Sequence, residues 1–155
     1  FPVLRRKGVK KGKYYDFIGI NYYSRSSVSG LSDGVREDCF KNDLGWEIYH
    51  QGLIDLSVKL GKQYGAPVFV TENGTCDNTD SFRSKYLYQH LKAVAESDLP
   101  FERYYHWCFC DNFEWAEGYN ERFGLIYVDY RTCNRIPKDS AKWYANVIKT
   151  NGECL

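Results

Sequence analysis

Three short apolar runs, spaced by helical stripes, constrain this chain more than any other feature. They are Tyr14 to Tyr23 (YYDFIGINYY), Ala66 to Thr71 (APVFVT) and Tyr104 to Cys110 (YYHWCFC). Gly, Pro, Asn or Asp bound each run, and none alternates cleanly between apolar and polar residues. Continuous runs suit strands covered on both faces, as in a parallel sheet dressed by helices. From Asp43 onward Trp46, Tyr49, Leu53, Leu56 and Leu60 recur at helical steps, and Gly65-Ala66-Pro67 ends that segment. Asp80 to Ser97 carries a second stripe: Phe82, Tyr86, Leu87, Leu91, Val94 and Ala95. Ser140 to Lys149 reads as a last helix burying Trp143, Tyr144, Val147 and Ile148, and Phe123 to Tyr130 (FGLIYVDY) as an extra short strand. The predicted order is β-α-β-α-β-(β)-α. Consecutive βα units imply right-handed crossovers and an α/β layer fold or barrel. About three units cannot close an eight-stranded barrel, so an open sheet or an incomplete barrel is expected. No linker divides residues 1–155, which read as one domain.

Composition excludes several function classes. With 21 basic and 20 acidic residues the net charge is +1, so no global field recruits nucleic acid or an anionic membrane. The basic run from Arg5-Arg6-Lys7 to Lys13 reads as a solvated face. No run approaches the roughly 20 apolar residues of a membrane span. Phe1-Pro2-Val3 lacks an initiator Met and the chain contains none, so it reads as a piece of a longer protein; basic residues also arrive too early for a signal peptide. The six cysteines fit neither a disulfide framework nor a zinc site. Cys108 and Cys110 are expected on one face of a strand, with no second pair at zinc spacing. Scattered free thiols point to a reducing cytoplasm. Asn73-Gly74-Thr75 matches a glycosylation sequon of a kind that chance often supplies.

Parallel-sheet proteins work at the carboxyl ends of their strands. Here those ends carry Asn21-Tyr22-Tyr23, then Glu72-Asn73-Gly74, then Trp107 followed by Asp111-Asn112-Phe113-Glu114-Trp115. Each has a bland reading: Asn-Gly is a turn signal, Asp111-Asn112 a cap, and Trp107, Trp115 and Tyr22 are core aromatics. Together they place carboxylates, amides, a phenol and indoles at one end of a sheet. Sugars call for that mixture, because carboxylates accept from hydroxyls while indoles pack on the C–H faces of a pyranose.

The motifs GINYY, VTENG and WCFCDNFEWAEGYNERFGLIYVDY, with the trailing RIPKDSAKWYANVI, resemble the C-terminal part of glycoside hydrolase family 1, the β-glucosidase-like (βα)8 barrels. The similarity covers about residues 14 to 151, in the family's order. It implies that Glu72 is the nucleophile that forms a glycosyl-enzyme, and that the Tyr23 hydroxyl hydrogen-bonds it. By the same resemblance Asn21 lies beside them, Trp107 forms the platform under the reacting sugar, Glu114 and Trp115 bind its far hydroxyls, and Phe123 is a nearby aromatic wall. A carboxylate at 114 favours unphosphorylated glycosides. The resemblance implies no cofactor and no metal, a small β-glycoside as ligand, and the missing N-terminal barrel portion as partner.

The family's general acid/base lies in an Asn-Glu-Pro motif on an earlier strand, and this chain begins downstream of it. Asn120-Glu121 is followed by Arg122 and takes no such role. A retaining glycosidase needs two carboxyls roughly 5 Å apart, so the chain alone is expected to be inactive, marginally stable and prone to associate. The alternative expectation is a non-catalytic sugar-binding fragment or regulator.

Overall fold

The computed structural model describes residues 12–155, so most of the basic run from Arg5 to Lys13 lies outside the described residues. In chain order the elements are β1 (Ile18–Tyr22), a small hairpin of β2 (Ser27–Ser29) and β3 (Ser32–Gly34), α1 (Gln51–Tyr64), β4 (Val68–Asn73), α2 (Arg83–Ala95), β5 (Phe101–His106), a 3-10 turn at Trp115–Glu117, β6 (Ile126–Val128), β7 (Arg135–Pro137) and α3 (Asp139–Lys149). Strands β1, β4 and β5 form one parallel sheet with β4 in the middle. That is the arrangement the three apolar runs predict.

The sheet has one dry face. Ile20, Tyr22, Leu53, Val68 and Val70 make a buried cluster, and Leu56, Leu60, Val94, Phe101 and Tyr104 pack against it. Burying each such side chain contributes about 1.5–3 kcal/mol. The opposite face is half open rather than covered, which corrects the expectation of strands sheathed on both sides. There Phe17, 47% exposed, stacks on Phe69 at 4.2 Å, and the Arg103 guanidinium sits 5.4 Å from the Phe69 ring. Among the described residues, no strand pairs with the outer edge of β1 or of β5.

Local chemistry explains where the elements differ from the sequence pattern. β1 begins at Ile18, not Tyr14, because the preceding segment docks by side chain: the Tyr15 hydroxyl donates to the carbonyl of Tyr64 at 2.7 Å. α1 begins at Gln51, not near Asp43. The Asn42 side-chain oxygen accepts from the amides of Leu44 and Trp46, which folds residues 41–47 into a tight loop. Its end is as predicted, with Gly65 left-handed at φ 58° and its amide donating to Gly61. β5 stops at His106, and the Trp107–Cys108 peptide that follows is cis. The backbone there pairs with a returning segment, Cys108 N–H to Phe123 and Leu125 N–H to Cys108. Cys108 is therefore buried in a loop and does not share a strand face with Cys110. All six thiols are free.

The expected strand at Phe123 to Tyr130 shortens to β6 and pairs antiparallel with β7, whose three exposed residues are too few to show a strand period. In α3 Val147 is buried, but Ile148 is 64% exposed, contrary to the predicted stripe. No helix among the described residues is long and apolar enough to cross a membrane.

Candidate active site

The carboxyl ends of β1 and β4 meet at Tyr23 and Glu72. β1 and β4 run in register from Ile18↔Val68 to Ile20↔Val70, and the pairing then slips so that Asn21 faces Glu72. The β4–β5 register also breaks between Val70 and Asn73. Such irregularities re-aim side chains, and here they put successive residues to different uses. Glu72 stands half-buried and accepts a 2.5 Å hydrogen bond from the Tyr23 hydroxyl. Asn73 is fully buried and faces the helices. Its amide donates to the Tyr22 carbonyl and the Tyr86 hydroxyl, at 2.7 and 2.9 Å, and its oxygen accepts from Tyr104 at 2.5 Å.

Asn73-Gly74 reads as a turn, yet Gly74 serves close packing. A Cβ there would overlap the Trp107 carbonyl oxygen. Asn21 lies exposed beside the pair and accepts from the Thr71 hydroxyl at 2.6 Å.

Electrostatics favour a neutral phenol beside a carboxylate. Burial first, and the hydrogen bond to Glu72 second, raise the Tyr23 hydroxyl well above its ordinary pKa. Tyr23 therefore stays a donor across the physiological range. Burial also raises the Glu114 carboxyl; a hydrogen bond from Trp107 opposes this, and the charge of Glu72 adds to it. Trp107 and Glu114 thus join the Glu72 neighbourhood. Trp115 is 82% exposed, at the start of the 3-10 turn, with φ at 42°. Strain of that kind persists where surroundings over-determine it, and the Glu114–Gly118 backbone bond closes this loop at 2.7 Å.

Phe123 is only 3% exposed and backs the site from beneath, its ring 6.3 Å from Tyr23 and its cluster shared with Cys76, Cys108 and Trp107.

Sequence reasoning missed Trp46. Assigned to a helical stripe, it sits in the 41–47 loop with its ring 6.2 Å from Tyr23 and 6.1 Å from Phe123. With Asn21, Tyr23, Arg25 and Val35 it lines a hollow of about 360 Å³. Arg25 braces that wall by a bidentate pair to Glu47 at 2.8 and 2.9 Å, with its guanidinium 3.5 Å from the Tyr49 ring. Gly45-Trp46, a turn residue beside an indole, was the available signal.

A family model described as glycosyl hydrolase family 1 matches residues 7–153. The chain belongs to that family. It is 41% identical to β-glucosidase A of Thermotoga maritima, covering 88% of this chain and 35% of the relative. It is 35% identical to a β-galactosidase of Sulfolobus acidocaldarius, covering 88% of this chain and 32% of that protein. Among solved structures, T. maritima β-glucosidase in complex with castanospermine superposes with a TM-score of 0.81 at 41% identity, again over 88% of this chain and 35% of the other. The same enzyme in complex with deoxynojirimycin gives 0.79. The chain thus spans about a third of the length of the relatives it matches.

In this family 1 chain the segment behind Trp107 is locked by a buried carboxylate. Asp111 accepts from Arg122 at 3.2 Å, Lys138 at 3.0 Å and the Gly124 amide at 2.9 Å. The parallel sheet with its helices, on neighbours of this family, is part of an α/β barrel.

Proposed function

We propose that this chain supplies the C-terminal, nucleophile-bearing part of a retaining β-glycosidase, about three βα units of a (βα)8 barrel, which hydrolyses O-glycosidic bonds of unphosphorylated β-glycosides. The observation that carries the reading is the Tyr23–Glu72 pair at 2.5 Å on neighbouring strand ends. A half-buried carboxylate held by one neutral donor keeps an oxygen free to attack an anomeric carbon. Tyr23 orients that carboxylate. Trp107 offers a face to the sugar, and Asn21, Glu114 and Trp115 bind its hydroxyls. Trp46 and Phe123 close the aromatic side.

The second carboxyl, the general acid/base that a retaining reaction requires, is assigned to the missing N-terminal barrel portion. Two features support such a partner: the open edges of β1 and β5, and an apolar groove of about 400 Å³ whose lining includes Phe109, Leu125, Pro137, Tyr144 and Ile148. The isolated chain is accordingly inactive, and its free thiols support a reducing, cytoplasmic setting.

The test joins this chain to the upstream portion of T. maritima β-glucosidase A and treats the product with a 2-fluoro glycoside. Covalent label on the peptide containing Glu72, lost in Glu72→Gln, is the expected result. Binding of deoxynojirimycin without any label would replace this reading with a non-catalytic sugar-binding one. Label on another carboxylate would remove Glu72 from its role.

A further inference from the structure

We propose that Arg83 is a positioning residue of this site: its buried guanidinium ties the loop that follows the nucleophile strand to the segment carrying Phe123, and so holds the aromatic backing against which Tyr23 presents its hydroxyl to Glu72. The inference rests on the functional reading above. Arg83 opens α2 and is fully buried, far from the usual place of an arginine. Nη1 donates to the carbonyls of Thr75 at 2.7 Å and Phe123 at 3.1 Å. Nη2 donates to those of Asp77 at 2.5 Å and Arg122 at 3.1 Å. Nε pairs with Asp80 at 2.9 Å.

Four carbonyls from two loops thus converge on one cation. Thr75 and Asp77 lie just beyond Glu72-Asn73-Gly74, and Arg122 and Phe123 belong to the returning segment. A planar, five-donor fork can serve all of them at once, whereas a lysine ammonium cannot.

The knot is held from both sides. Asp77, also fully buried, accepts from the amides of Phe82 and Arg83 at 2.8 Å each and so fixes where α2 begins. Asp80, at φ 61°, accepts from the amide and hydroxyl of Ser140, which brings the start of α3 into the same cluster. From the knot the path to the reacting group is short. The Phe123 carbonyl receives both Arg83 and the Cys108 amide, and the Phe123 ring packs edge-on to Tyr23, whose hydroxyl holds Glu72. Because protein interiors are close-packed, freeing that carbonyl shifts the ring and with it the phenol.

The experiment has two arms. In the 155-residue chain, hydrogen exchange is followed by segment in Arg83→Lys and in Arg83→Ala with and without added guanidinium ion. Expected is exchange about 100-fold faster over residues 74–80 and 108–125, with α1 unchanged, and recovery of most of that protection in Arg83→Ala when guanidinium enters the vacated space. Exchange that rises equally in α1, or stays as it was, or fails to recover with guanidinium, overturns the proposal. In the joined enzyme, Arg83→Lys is expected to lower kcat for an aryl β-glucoside about 100-fold with KM little changed, the signature of a misplaced nucleophile. A fall in Tm with kcat preserved below it overturns the proposal as well. An unmutated joined enzyme that shows no turnover refutes the glycosidase reading instead, and the exchange arm then decides the knot by itself.

Discussion

Glu72 and Asn73 are neighbours at the end of one strand, yet they serve opposite sides of the sheet. On the helix side, Asn73 is sealed and its amide and oxygen meet Tyr22, Tyr86 and Tyr104. On the open side, Glu72 is half-buried, and among the described residues it accepts one side-chain hydrogen bond, from Tyr23. The difference teaches where this fold uses polar groups to hold itself together and where it leaves acceptor capacity for a ligand. A satisfied buried group resists change, while an under-used carboxylate can take part in chemistry.

Mutations sharpen that contrast in order of their effect on stability. Asn73→Ala should cost the most, about 3–5 kcal/mol, because it removes three hydrogen bonds at once and leaves the Tyr104 hydroxyl without its Asn73 acceptor; urea unfolding of the chain measures it, and a loss under about 1 kcal/mol would break the contrast. Gly74→Ala should follow at about 1–3 kcal/mol through its clash with the Trp107 carbonyl, read from the same midpoint.

Next comes acid. Burial pushes His90 down to about 4 and His106 down to about 3, so both are neutral in the folded chain. Their contribution is complete above the ordinary histidine range near 6.5 and is lost as pH falls from there to the folded values, because over that window the unfolded chain binds protons that the folded chain refuses. Each adds up to about 1.4 kcal/mol of lost stability per pH unit below about 6.5. Unfolding midpoints between pH 7 and 4 check the slope, which His90→Gln should reduce and Lys142→Ala should leave alone.

Smallest on stability are Glu72→Gln and Tyr23→Phe, expected within about 1 kcal/mol of the parent. In the joined enzyme, however, Glu72→Gln should abolish covalent labelling and Tyr23→Phe should slow it about 10- to 100-fold. If Glu72→Gln destabilised the chain as much as Asn73→Ala, the carboxylate would belong to the scaffold and not to a site.

Much of this was legible in the chain itself. The apolar runs placed the three strand cores, Gly65 marked the end of α1, and the family resemblance carried by GINYY and VTENG implied the contact of Tyr23 with Glu72. Boundaries were less legible, because they depend on partners. Tyr14 to Phe17 extends the apolar run of the strand it precedes, yet Tyr15 and Phe17 dock by side chain, on the Tyr64 carbonyl and the Phe69 ring. Trp46 fits a helical stripe until Asn42 captures two amides and folds the loop. β7 is three exposed residues, too short for a period to show, and exists because β6 supplies its hydrogen bonds. Arg83 has no part in the apolar stripe of α2, so the pattern gives no sign of its burial.

The order and type of the main elements follow from residue pattern, since apolar spacing selects secondary structure locally, and the resemblance to family 1 implied the pairing of Tyr23 with Glu72. Which polar groups are sealed and which stay reachable was decided only by the tertiary structure. Satisfaction of a donor or acceptor depends on atoms far away in the chain, as when Tyr104 closes over Asn73 and the Arg83 guanidinium draws four distant carbonyls together.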